Sequence, residues 1–158
     1  MARVLVVEDE ANLAKGIRFN LELEGYEVDV IGDGTEALET AVVNLLDNAV
    51  KYSTDKVEVA VQVASDGDGQ AQLRVKDRGI GMSRAHLRFV FNRFYRIGAE
   101  VRRSHTGTGL GLFIVKSVVK GHRGTVSADS AGPDSGSTFT ITLPGVMDAP
   151  AGEAAAHG

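Results

Sequence analysis

The apolar residues Ala37, Leu38, Ala41, Val42, Leu45, Leu46 and Ala49 recur at helical spacing between residues 35 and 52. No other feature limits the fold as much. The stripe starts from a turn, Gly32-Asp33-Gly34-Thr35, where Asp33 or Thr35 is a natural N-cap. It runs in register into a polar segment, Asn44 to Tyr52, whose character differs from everything before it. A single helix spanning that change joins the two parts of the chain in one merged α/β body. It does not leave two independent domains.

Before the helix, Arg3–Val7 is a short β-branched run, then Leu13, Ile17, Leu21 and Leu23 fall close to helical spacing. Gly25 stops that helix and Tyr26–Ile31 reads as a second strand. Strand, helix and strand with short links make a right-handed βαβ unit with parallel strands. After the long helix, 57–76 reads as a hairpin turning at Ser65-Asp66-Gly67-Asp68-Gly69. Residues 84–95 are expected to be helical, and 96–109 a mobile loop. Leu110–Lys120 reads as a helix closed by Gly121. Thr125–Ala128 and Ser137–Leu143 read as a strand pair around Gly132-Pro133-Asp134. From Met147 the chain is small and polar, and is expected to be disordered.

With 158 residues, the chain suits one domain or two small ones. An apolar fraction of 43% and a charged fraction of 24% exclude a collagen-like or wholly disordered chain. No apolar run approaches the roughly 20 residues of a membrane-spanning helix, and MARVLVVEDE turns acidic too early for a signal peptide. Without cysteine there is no disulfide, thiolate zinc site or cysteine nucleophile. A net charge of −4 argues against nonspecific nucleic-acid binding. The expected setting is cytoplasmic, with no membrane and no nucleic acid as partner.

Four segments carry chemistry. Asn44, Asn48 and Lys51 are spaced by four and three, so they share one helix face. Two amides and an ammonium can hold a magnesium ion and phosphate oxygens, since magnesium keeps several waters and needs few protein ligands. The same face could simply be solvated. Asp77-Arg78-Gly79-Ile80-Gly81-Met82 puts a carboxylate at a strand end, able to accept from an exocyclic amine, beside glycines that let a flat base approach. It could also be an ordinary tight turn. Phe91-Asn92-Arg93-Phe94-Tyr95-Arg96 could be core packing. Gly107-Thr108-Gly109-Leu110-Gly111-Leu112 opens a helix, where backbone amides favour an anion.

In this order and spacing, the four segments over residues 41–144 resemble the ATP-binding catalytic domain of sensor histidine kinases, of the Bergerat fold. NLLDNAVKYS at 44–53 is similar to the asparagine box, DRGIGM at 77–82 and GTGLGL at 107–112 to the glycine boxes, and FNRFYRI at 91–97 to the phenylalanine box. Gly136-Ser137-Thr138-Phe139 is similar to the last glycine motif. The resemblance implies an α/β sandwich, a mixed sheet covered by helices, with the N-terminal βαβ element merged into it. It implies ATP and Mg2+ as ligands. Asn48 is then the magnesium ligand, with Asn44 beside the phosphates. Lys51 meets phosphate, Tyr52 the sugar or base, and Asp77 the adenine amino group. Gly79 and Gly81 leave room for the base, and Arg96 reaches the terminal phosphate. Residues 96–109 form a lid, with Gly107, Gly109 and Gly111 as hinge and phosphate cradle. Met82, Phe94, Tyr95, Thr108, Leu110, Leu112 and Thr138 complete the implied ATP-binding set.

Hydrolysing relatives of this fold usually place a glutamate one turn before the magnesium asparagine. Here that residue is Asn44, so slow turnover is expected and no catalytic residue is named. Residues 2–39 resemble the first half of a response-regulator receiver domain. RVLVVEDE is similar to its first strand, with Glu8 and Asp9 as the acidic pair, and GYEVDVIGDGTEALE to its second strand and helix. The phosphorylatable aspartate has no counterpart: the expected place is near Tyr52–Thr54, and Asp55 follows the wrong motif. None of His86, His105, His122 and His157 sits in a phosphoacceptor context. The cluster Arg93, Arg96, Arg102 and Arg103 either steers phosphate or an acidic partner, or is a solvated lid face. The expected units are 1–40, a truncated receiver-like segment; 41–146, the ATP-binding domain; and 147–158, the tail. The expected function is a Mg-ATP-binding module of two-component signalling, acting on a histidine-bearing dimerisation domain in trans. The alternatives are a non-catalytic ATP-binding or oligomerising protein, or a recombined fusion without selected activity. A homodimer through the N-terminal half is a further expectation, because half a receiver leaves an open edge.

Overall fold

A computed structural model describes residues 3–8, 11–32, 34–54, 56–65, 69–97 and 108–145. Asp9, Asp33, Asp55, the hairpin residues 66–68, the lid segment 98–107 with Arg102, Arg103, His105 and Gly107, and the tail 147–158 with His157 lie outside the described residues.

The β-branched run forms β1 (Arg3–Val7), which pairs in parallel with β2 (Glu27–Ile31) through the crossover helix α1 (Ala11–Leu23). Gly25 ends α1 as expected. It takes φ +83°, and the Gly25 and Tyr26 amides donate to the Glu22 and Leu21 carbonyls at 3.0 and 3.1 Å. The long stripe forms α2 (Gly34–Lys51). Ala37, Ala41, Leu45 and Ala49 lie fully inside, and Leu38 and Leu46 pack from the flanks. The small Ala37, Ala41 and Ala49 let a second helix approach closely. That helix is α4 (Gly111–Gly121), which contributes Val115, Val118 and Val119 to the same core.

Beneath the helices lies a four-stranded antiparallel sheet, in the order β3 (Val59–Ser65), β4 (Ala71–Asp77), β6 (Thr138–Leu143), β5 (Thr125–Asp129). Val75, Phe139 and Ile141 face the helices, and Phe91 meets Phe139 edge-on with ring centroids 6.3 Å apart. The expected α/β sandwich is therefore present. The N-terminal strands stand beside that sheet: β1 and β2 form a separate two-stranded sheet. β1 takes up the ladder of β2 along all five residues, and α2 then turns the chain into the helical layer. The join between the two parts is the helix, reinforced by Ile31 and Leu5 at the edge of the core.

Two helix expectations need correction. Residues 84–95 hold only α3 (Arg84–Leu87), capped by the Ser83 hydroxyl. Residues 88–94 run through turns: Phe91 packs on the core, Phe89 and Phe94 are exposed, and Phe94 takes φ +60°. Gly121 is the last helical residue of α4, not the residue that closes it. The left-handed closing position falls on Arg123 at φ +58°, where the Arg123 and Gly124 amides donate to the Lys120 and Val119 carbonyls. Gly124 must be glycine for another reason: a Cβ there would meet the Thr142 carbonyl oxygen at 2.6 Å.

Candidate nucleotide site

The end of β4 delivers Asp77 to the floor of a cavity of about 530 Å3 between α2, the start of α4 and the sheet. Asp77 is 4% exposed. A buried carboxylate is tolerated only when donors meet it. Here the Gly79 and Ser137 amides donate to Oδ1 at 2.8 and 3.1 Å. The other oxygen has no partner among the described residues, and it keeps accessible surface on the cavity side. The Asp77 amide donates to the Ser137 carbonyl at 2.9 Å, so β4 and the residue before β6 grip the site from both sides.

The glycines around Asp77 do different jobs. A Cβ on Gly79 would collide with the Tyr52 carbonyl oxygen, to which the Ile80 amide donates at 3.0 Å. Gly79 therefore backs the floor and does not line the cavity. Gly136, at φ +69°, lies against the Asp77 carbonyl, where any side chain would clash. Gly81 does line the cavity, and its φ of +61° is left-handed.

One wall is the expected face of α2, with Asn44, Asn48 and Lys51 all half-buried and lining the cavity. The Asn44 amide nitrogen donates to the Thr40 carbonyl at 2.9 Å. This turns its oxygen toward Gly111 at the start of α4, where a Cβ would sit 3.0 Å away. The Asn48 side chain has no hydrogen bond among the described residues. Burial, and then the Arg96 charge, push the Lys51 ammonium below its usual 10.5. Its Nζ lies 5.3 Å from the centre of the Tyr52 ring, which also lines the cavity.

The opposite wall brings together Met82, Tyr95, Arg96, Thr108, Gly109, Gly111 and Leu112. Tyr95 is fixed by a hydrogen bond with His86 Nδ1. Besides Gly79, three expected site residues fall elsewhere. Phe94 is 62% exposed and, with Leu110, lines a second cleft of about 980 Å3. The Phe94 amide donates to the Gly109 carbonyl at 3.0 Å, so Phe94 holds the glycine segment by its backbone and not its ring. Thr138 is spent on pairing with Lys76 and Asp129. Gly107 is outside the described residues. Sequence reasoning missed Asp47, Val50, Ile80, Val90, Ile97, Ser137 and Phe139, all of which line the cavity. Ser137 was within reach, because it directly precedes Thr138 in the quoted motif.

The cavity thus has a carboxylate in an apolar floor at one end, and amides, an ammonium and a guanidinium at the other. That polarity suits a planar base with a donor amine, joined to a polyanion. Among the described residues no group of three or more acidic, histidine or cysteine side chains could hold a metal unaided.

The sequence profile of the Histidine kinase-, DNA gyrase B-, and HSP90-like ATPase family matches residues 33–146. The chain is 40% identical over 124 residues to the sensor-like histidine kinase SenX3 of Mycolicibacterium smegmatis, covering 78% of this chain and 31% of SenX3. It is 39% identical over 143 residues to the signal transduction histidine-protein kinase/phosphatase MprB of Mycobacterium sp. (strain KMS), covering 89% of this chain and 27% of that protein. The chain therefore spans about a third or less of these relatives. A solved structure of a mycobacterial sensor histidine kinase MprB superposes with a TM-score of 0.64 at 34% identity, covering 91% of this chain and 83% of that one. Full-length ShkA in complex with AMPPNP matches at a TM-score of 0.60 and 24% identity, covering 70% of this chain and 22% of that one, a likeness of fold. With the profile, the relatives and the cavity in agreement, this chain belongs to the Histidine kinase-, DNA gyrase B-, and HSP90-like ATPase family, as an ATP-binding domain of the histidine-kinase type.

Proposed function

We propose that the cavity takes ATP with a magnesium ion and presents the nucleotide to a histidine-bearing helical domain supplied in trans. The observation that carries this reading is Asp77. It is a buried carboxylate whose Oδ1 is fully engaged by backbone amides while its other oxygen is open to the cavity. The arrangement fits an exocyclic amine, and a carbonyl at that position of the base would be repelled. The donor set also fits the ion. Asn48 offers one neutral oxygen, and magnesium completes its shell with water and phosphate.

Bound Mg-ATP supplies the transferable phosphoryl group. The chain's own residues orient and neutralise it. Asn48 holds the cation, Asn44 and the amides at the start of α4 face the phosphates, and Lys51 and Arg96 offset their charge. Met82, Tyr95, Leu112 and Tyr52 enclose the base and sugar. Position 44 is an amide and not a carboxylate, and Asp77 is committed to the floor. The position one helical turn before Asn48 thus carries no carboxylate to activate water, which supports slow hydrolysis.

The receiver-like reading of residues 1–40 is supported by the separate parallel β1–β2 sheet, with 41–146 as the ATP-binding unit and 147–158 as a tail. The same reading lets a second copy dock through the N-terminal half, supported by the exposed Leu13, Phe19 and Leu23 of α1. The missing base favours a second reading, in which ATP sets shape or assembly without transfer. Transfer of label from labelled ATP to histidine-bearing helical domains separates the two.

The primary test is titration calorimetry with ATP, with and without magnesium. Asp77→Asn keeps an Oδ1 for the two backbone amides, so the fold is expected to stay intact. Loss of a charged hydrogen bond is expected to weaken ATP about 10- to 100-fold. Equal affinity in the two proteins would remove the reading.

A further inference from the structure

β3 is an edge strand with nothing on its outer side among the described residues. Natural sheets blunt such edges with charge, proline or a bulge. β3 has none of these: Val59-Ala60-Val61-Gln62-Val63-Ala64-Ser65 is uncharged and pairs with β4 residue for residue. The flanking charge of Glu58 is engaged by Lys56 and Arg78 at 3.1 and 2.7 Å.

Register shows which way the valines point. Val61 is opposite Val75 and Val63 opposite Leu73. Val75 belongs to the core beneath the helices, so Val61 and Val63 lie on the helix-covered face. Yet they are 51% and 72% exposed, because the helical layer stops short of this corner. Among the described residues, the core face of the sheet therefore runs uncovered out to an uncharged edge.

The sequence of that edge also reads the same in both directions about Gln62: Ala-Val-Gln-Val-Ala. An antiparallel partner with the same sequence, centred there, sets Ala60 against Ala64, Val61 against Val63 and Gln62 against Gln62. The two-fold axis stands perpendicular to the sheet, so both copies keep their helices on the same side. The four valines then close on one another between the two helical layers. The other edge, β5, offers no such match: it is shorter, alternates between exposed and half-buried, and would set Thr125 against Asp129.

We propose that β3 is a docking edge for a second copy of this chain, pairing antiparallel about Gln62 to form a continuous eight-stranded sheet. This surface is separate from the nucleotide cavity and from α1, and does not depend on the proposed activity.

The chain contains no cysteine, which gives a direct test. Opposed residues in an antiparallel pair have Cα atoms about 4.5–5.5 Å apart, within disulfide range. Gln62→Cys is expected to oxidise rapidly to a covalent dimer, and Ser127→Cys on β5 is not. Light scattering of the unmodified chain is expected to show a concentration-dependent dimer, which Val63→Lys weakens at least about tenfold with an unchanged circular dichroism spectrum. Four results overturn the proposal. They are a monomer at every concentration, equal oxidation of the two cysteine variants, a dimer that survives Val63→Lys but is lost with Phe19→Glu on α1, and dimerisation only after residues 146–158 are removed.

Discussion

Lys51 shows what the cavity asks of a single side chain. Burial and the facing Arg96 charge both disfavour its ammonium, so its pKa in the folded protein lies below 10.5. A base whose folded value is depressed contributes stability above its unfolded value and loses it as pH falls through the folded value. Between the lowered value and 10.5, the wild type is expected to gain stability with rising pH, and Lys51→Met to flatten that rise. A polyanion in the cavity reverses the bias and draws a proton onto Lys51. Calorimetry in two buffers of different ionisation enthalpy is expected to show proton uptake on ATP binding in this pH window, absent in Lys51→Met. The Asn44, Asn48 and Lys51 face was legible because helical spacing alone places all three together. Phe94 and Leu110 were not, because a motif names residues without saying whether ring or backbone does the work. At Phe94 the backbone holds Gly109 and the ring points into a different cleft.

At the scale of elements, α2 was the most readable piece. Its buried positions Ala37, Ala41, Leu45 and Ala49 follow one strict spacing, and tertiary packing agrees with local pattern. The stretch 84–95 misled because Leu87, Val90, Phe91 and Phe94 imitate a helical stripe, yet the first three reach the core through α3 and the turns after it while Phe94 is exposed. The end of α4 misled for a conformational reason. Glycine at 121 suggested the left-handed stop, but a Cβ there meets nothing within 4 Å, and the strained residue is Arg123 at φ +58°. Arg123 is exposed, so its side chain has little packing to lose. Arg123→Gly is therefore expected to raise stability by about 1 kcal/mol by relieving the left-handed penalty. A urea unfolding series with unchanged slope would measure that gain.

For the whole molecule, the division lies between two sheets and one helical layer. The four-stranded sheet, α2 and α4 share one continuous core, while β1, α1 and β2 reach it mainly through Ile31 and Leu5. α1 itself fully buries only Ala14. Hydrogen exchange is expected to open the β1–α1–β2 unit well before β4, β6 and α4, which open only with global unfolding. The sequence announced the β1–α1–β2 unit and the long helix that follows it. It could not reveal that the sheets stay separate, because β-strand pairing depends on which edges meet and is not written in either strand. α2 is about 27 Å long. Its far end carries Asn44, Asn48 and Lys51, and its near end follows directly from β2, with Gly34 packed beside His122 at the close of α4. Whatever shifts one end of so stiff a rod shifts the other. A ligand that prefers one placement of the amide pair thereby reports on the docking of the N-terminal unit. By reciprocity, whatever captures that unit retunes the cavity by the same factor.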